Sequence, residues 1–154
     1  MIYLLGNKEI LKSFKVGFLC SRKVPADIIL KTYDWALEQR DKDVCIVSGF
    51  HSKIEKDVFD ILVKGSQPII LVLARGMKKQ WEPQIKNLLN DNRLLIISQF
   101  PTKMDRITLE TSKKRNELIA EMSDNIFIPY FSPSGEISQL ISNINYSNKI
   151  LTFI

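Results

Sequence analysis

Six short apolar runs, at 16–20, 44–47, 69–73, 94–97, 126–130 and 150–154, punctuate this chain. A strand with one wet face alternates polar and apolar residues, so runs this unbroken suit strands covered on both faces. Between them apolar residues return at helical spacing. Ile29, Tyr33, Ala36 and Leu37 form one stripe, and Ile54, Val58, Ile61 and Leu62 a second. Trp81, Ile85, Leu88 and Leu89 form a third, and Ile137, Leu140, Ile141 and Ile144 a fourth. Residues so spaced share one helix face. Strands alternating with helices imply right-handed βαβ units. The expected fold is α/β: Rossmann-like, doubly wound, with a mostly parallel sheet and helices on both faces. A further apolar segment at 2–5 reads as an edge strand or an N-terminal arm.

The chain has 154 residues, enough for one substantial core, and no repeat or linker divides it, so a single domain over 1–154 is expected. No apolar run approaches the roughly 20 residues that span a bilayer. The opening MIYLLGNKEI lacks a basic region followed by an apolar stretch, so a cytoplasmic protein without a membrane partner is expected. Cys20 and Cys45 sit in apolar runs with no Cys or His at metal-ligand spacing. They read as buried free thiols, and no metal is expected.

A doubly wound sheet binds its ligand at the carboxyl ends of the strands, near the reversal in strand order. That rule selects Ser21-Arg22-Lys23, then Ser48-Gly49-Phe50-His51-Ser52-Lys53, then Ala74-Arg75-Gly76-Met77. Ser98-Gln99-Phe100-Pro101 and Phe131-Ser132-Pro133-Ser134-Gly135 complete the rim. Small residues let backbone N–H groups approach an anion, and Arg or Lys neutralises it. The chemistry indicated is phosphate binding. Neither G-x-G-x-x-G nor G-x-x-x-x-G-K-[ST] is present, which speaks against an ordinary NAD or ATP site, and no cofactor is expected. No paired carboxylates, nucleophile elbow or Ser/His/Asp set is evident, and His51 is the only histidine. The cluster Lys113-Lys114-Arg115 reads as opening a helix, where like charges meet the positive end of the dipole unless an anion is near.

Motifs at these loops resemble the nucleotide-binding domain of the DprA/Smf DNA-processing family, a branch of the SLOG superfamily. They are, in order, IYLLGNKEIL, VGFLCSRKV, IVSGF, LVLARGM with W-E-P, LLIISQFP, and KKRNELIAEMSDNIFIPYFSPSG. The resemblance covers most of the chain. It implies a binding module for single-stranded DNA or nucleotide phosphates, in DNA processing or recombination, rather than an enzyme. It also implies the site. Arg22 matches the Arg of the family's Gly-Ser-Arg, Ser48 and Gly49 its Ser-Gly turn, and Lys53 stands near a family Arg. Arg115 and Asn116 match its Arg-Asn pair, and Ser134 and Gly135 its final Ser-Gly. Ser134 is also the expected cap of the last helix.

Departures from the pattern stand at several motif positions. Cys20 replaces the Gly of Gly-Ser-Arg, His51-Ser52-Lys53-Ile54-Glu55 replaces Ala-Arg-Gly-Ile-Asp, and Gln99 replaces a Glu. Two other readings stand beside the first: a nucleotide sensor, and a nucleoside-monophosphate-cleaving enzyme, whose Gly-Thr loop is missing here. Domains of the family often dimerise, so a homodimer is a further expectation. Phe50, Trp81, Phe100 and Phe131 are the aromatics nearest the rim and could stack bases, with Trp81 assigned to the core by its helical stripe.

Overall fold

The computed structural model describes residues 1–143 and 145–153. It has seven strands: β1 (Tyr3–Gly6), β2 (Lys15–Phe18), β3 (Cys45–Ser48), β4 (Ile69–Leu73), β5 (Leu94–Ser98), β6 (Asn125–Phe127) and β7 (Ile150–Leu151). Five helices join them: α1 (Ala26–Arg40), α2 (Lys53–Val63), α3 (Pro83–Asn90), α4 (Leu109–Met122) and α5 (Glu136–Ile141). Each apolar run in the sequence holds a strand. The segment at 2–5 is the edge strand β1, antiparallel to β5. Ile144 and Ile154, assigned to the last stripe and the last run, lie outside the described residues.

The sheet order is β1-β5-β4-β3-β2-β6-β7, parallel except at β1. The chain therefore winds outward from β2 through β3, β4 and β5. It then returns through α4 to lay β6 on the opposite side of β2. The reversal falls at β2, which places the ligand crevice beyond its carboxyl end, between β3 and β6.

Alternate residues of each strand feed two cores. Val16, Phe18, Ile46, Ile69 and Ile96 face α1, α2 and α3, where Ala36, Val58, Leu62 and Leu88 are buried. Val47, Ile70, Leu95 and Ile126 face α4 and α5, where Ile119, Ala120 and Leu140 are buried. Helices thus cover both faces, as the unbroken apolar runs require. Gly17 lets α4 approach closely, since a Cβ there would lie 2.7 Å from Ser123 Oγ. In α1, Ile29, Tyr33 and Ala36 of the predicted stripe pack on the core beside buried Thr32 and Gln39, whereas Leu37 is exposed. Both thiols are buried and free, and burial pushes Cys20 and Cys45 up to about 12.

Among the described residues no helix is long and apolar enough to cross a membrane. Nor does any group of three or more His, Cys, Asp or Glu side chains offer a metal site.

Candidate nucleic-acid interface

Helix α4 begins at Leu109, six residues before Arg115. Thr108 caps it, its Oγ1 accepting from Thr111 N at 3.1 Å while Thr111 Oγ1 accepts from Thr108 N at 2.9 Å. Lys113, Lys114 and Arg115 therefore lie in the second turn, and the expectation that they open the helix is corrected. The boundary signal was the capping threonine, not the charge run. Helical spacing then separates the three cations. Arg115 precedes Leu118 and Ile119 by three and four residues and shares their inward face, so it is buried, whereas Lys113 and Lys114 point to solvent. Lys114 pairs with Glu110 at 3.5 Å.

Arg115 is only 8% exposed. Its Nε donates to Asn116 Oδ1 at 3.2 Å, which fixes the plane of the guanidinium. Among the described residues no carboxylate forms an ion pair with it. Burial holds its pKa below the ordinary arginine value, partly offset by the charges of Glu55 and Glu136, with Arg22 adding repulsion. A buried cation without a counter-ion is an anion site in waiting.

The guanidinium lies across the backbone of the β3 turn. A Cβ on Gly49 would sit 2.8 Å from both Arg115 Cδ and Nε, so only glycine leaves room for it. The turn is held by Ser48, whose buried Oγ accepts from Phe50 N at 3.2 Å, and by the left-handed backbone of Phe50 at φ 44°. Beyond it, Glu55 Oε1 accepts from His51 N at 2.9 Å and Ser52 N at 3.0 Å, closing a capping box on α2. The loop after β2 is tied to the loop after β6: Ser21 N donates to Tyr130 O at 3.1 Å, and Ser21 Oγ accepts from Ser132 N at 3.0 Å.

These loops enclose a cleft of about 430 Å³ at the predicted reversal point. Arg22, Arg115, Asn116 and Gly135 line it, and Ser48 and Gly49 form the turn against which Arg115 rests. Lys23, Ser132 and Glu136 also line it. Lys53 points elsewhere, its Nζ pairing with Asp57 at 2.9 Å on the exposed side of α2. Ser134 is exposed and does not cap α5; the cap residue is Gly135, with no side-chain bond. Of the aromatics, Phe50 and Phe100 are buried, and Phe131 and Trp81 are partly buried and pack on the two cores.

Glu55 and His51 are among the cleft residues not assigned a binding role from the sequence. For Glu55 the Ser52-x-x-Glu55 spacing was the available signal, and it indicates a cap before it indicates a site. His51 is held below its ordinary pKa by burial and then by Arg115, with Glu55 opposing. Cys20 lines the cleft as a protonated thiol, so it supplies no nucleophile.

Comparisons with known proteins bear on the family and the fold. The model of the family described as DNA recombination-mediator protein A matches residues 1–152. The DNA processing protein A of Helicobacter pylori, whose structure concerns a single-stranded DNA binding mode, is 17% identical, with a TM-score of 0.78. That match covers 98% of this chain and 70% of that one. The corresponding protein of Streptococcus pneumoniae is 18% identical with a TM-score of 0.75, over 98% of this chain and 54% of that one. At these identities the likeness establishes the fold. No curated protein matches the sequence.

Proposed function

The chain belongs to the DNA recombination-mediator protein A family, and from that premise we propose that its strand-end cleft holds the backbone of single-stranded DNA. One observation carries the reading: the Arg115 guanidinium is buried, oriented by Asn116, and unpaired among the described residues. A phosphate oxygen there would complete its hydrogen bonds, and the charge-assisted bonds formed are among the stronger ones available. Arg22 and Lys23 at the exposed mouth supply the surrounding positive field. The single-stranded DNA binding of the Helicobacter pylori relative supports a strand as the ligand. Nucleotide phosphates offer the same anion, so a mononucleotide is expected to compete weakly. The cleft binds and orients; no residue in it is poised as a nucleophile. A homodimer belongs to the same reading, supported by Leu4 and Leu5, which are exposed on the edge strand, and by exposed Ile2 just before it.

Anisotropy titration of a labelled single-stranded oligonucleotide at low salt tests this, with wild type beside Arg115→Gln. Loss of a charged hydrogen bond predicts roughly tenfold weaker binding or more. Absence of binding by the wild type, or equal affinity of the two proteins, would remove the cleft as the site.

A further inference from the structure

The cleft that carries a buried arginine also carries a buried acid. Glu55, in the first turn of α2, is 5% exposed and lines the cleft wall. Its Oε1 is taken up by two amides of the turn, His51 N and Ser52 N. The other oxygen accepts no hydrogen bond among the described residues, and no cation there forms an ion pair with it. Its charge nonetheless reaches three separate segments of the wall. It adds to the upward shift that burial gives Cys20, opposes the downward shift of His51, and is the largest charge acting on Arg115. A capping box works with Gln as well as with Glu, so the cap accounts for one oxygen and not for the charge. The dipole of α2 favours an acid in its first turn, but it does not require one buried in an anion cleft.

The charges of the cleft nearly balance. Three cations line it, Arg22, Lys23 and Arg115, against two carboxylates, Glu55 and Glu136. With the imidazole of His51 held towards its neutral form, one net positive charge is left for a ligand. Attraction to that surplus grows in proportion to the ligand's charge. The cost of taking an ion out of water grows with the square of its charge. A phosphodiester carries a single negative charge. A phosphomonoester carries about −1.5 to −2 at pH 7, because its second pKa is about 6. The added charge therefore gains little from the cations and stands against Glu55.

Resting on the phosphate reading above, we propose that Glu55 makes the cleft selective for phosphodiesters. It disfavours dianionic phosphate, so the backbone within a strand is held in preference to nucleoside monophosphates and inorganic phosphate. Specificity of this kind comes from a repulsive element set against the wrong ligand. Arg115 attracts both classes, and Glu55 separates them. Glu136, partly buried at the start of α5, acts in the same direction but less strongly.

Two probes that differ by one charge test this: thymidine 5′-monophosphate and its methyl ester. Each displaces a labelled single strand at about pH 8, where the monoester is dianionic. The proteins are wild type, Glu55→Gln, Glu136→Gln and Glu38→Gln, the last making the same charge change on the exposed side of α1, outside the cleft. Wild type and Glu38→Gln are expected to release the strand at about one tenth as much ester as monoester, the scale of one like charge in a partly wet site. Glu55→Gln brings the two probes within about twofold, and its strand affinity holds or rises because Gln keeps the cap. Glu136→Gln, which disturbs no side-chain cap, narrows the gap on its own. Equal inhibition of wild type by the two probes, inhibition by neither, or a gap that survives either substitution in the cleft overturns the selectivity while strand binding stands. Weaker strand binding by Glu55→Gln also overturns it, leaving the carboxylate only its part in holding the turn. Failure of wild type to bind the labelled strand overturns the phosphate reading together with this one.

Discussion

Arg115 and His51 are neighbours in the cleft wall, and each is held away from its charged form's ideal surroundings. Burial disfavours both cations, and the charge of Arg115 adds to the cost of protonating His51. An anionic ligand reverses that balance. In the ligand-free protein the imidazole pKa lies below its ordinary 6.5, owing to burial, then Arg115, with Glu55 opposing and Lys56 and Arg22 adding. A phosphodiester beside the ring stabilises the imidazolium, so the bound-state pKa is higher than the free one. Binding then takes up a proton, and affinity rises as pH falls from above the bound pKa to below the free one. Folding has the opposite sign. The depressed pKa contributes stability that is present above 6.5 and is lost as pH falls through the folded value. Oligonucleotide titrations between pH 8 and pH 5.5 are expected to tighten for wild type and to stay flat for His51→Gln. A wild-type profile as flat as the variant's would place His51 outside the ligand's field.

At the scale of elements, the proposed site rests on a contact between α4 and the turn after β3. Gly49 is the turn's half of that contact, since any Cβ there overlaps the Arg115 side chain. Gly49→Ala is therefore expected to displace the guanidinium and weaken strand binding roughly tenfold. Its unfolding free energy should change by less than about 1 kcal/mol, because the clash is with the end of a long side chain. Denaturant unfolding beside anisotropy separates the two; a large stability loss would mean that the turn itself had broken. The strands on either side were legible in the sequence. β4 coincides with its apolar run because both of its faces are covered, and the run 126–130 shortens to Asn125–Phe127 just before Ile128 and Pro129. The start of α4 was not legible from its charges, because a cationic cluster marks no boundary while a Thr108–Thr111 cap does. Trp81 was assigned to the core because its spacing to Ile85 and Leu88 is helical. It precedes α3, yet it is partly buried and packs against the core. Lys53 sat close in sequence to the turn, yet the first turn of α2 directs it to Asp57. Motif order located the loops; the meeting of Gly49 with Arg115 needed the fold.

Over the whole molecule the net charge of +5 overstates what the cleft offers a nucleic acid. Lys12, Lys53, Lys78 and Lys114 each pair with an acidic side chain three or four residues away. Exposed pairs of this kind contribute little to stability, but they do reduce the local field. Arg22, Lys23 and Arg115 line the cleft without such a partner among the described residues. If these three make the main phosphate contacts, log K should fall against log salt with a slope of about −2, at roughly −0.7 per phosphate on a single strand. Raising salt from about 50 to about 200 mM then weakens binding by roughly 15- to 20-fold. Removing Arg22 should make the slope shallower by close to one contact, whereas removing Lys53 should leave it unchanged. A slope of about −5 or steeper would mean that the strand runs over a much wider basic surface, engaging Lys56, Arg75, Lys103 or Arg106 as well. A slope near zero would contradict an electrostatic site altogether. Titrations at four salt concentrations, repeated for Arg22→Gln and Lys53→Gln, decide between a local cleft and a distributed face.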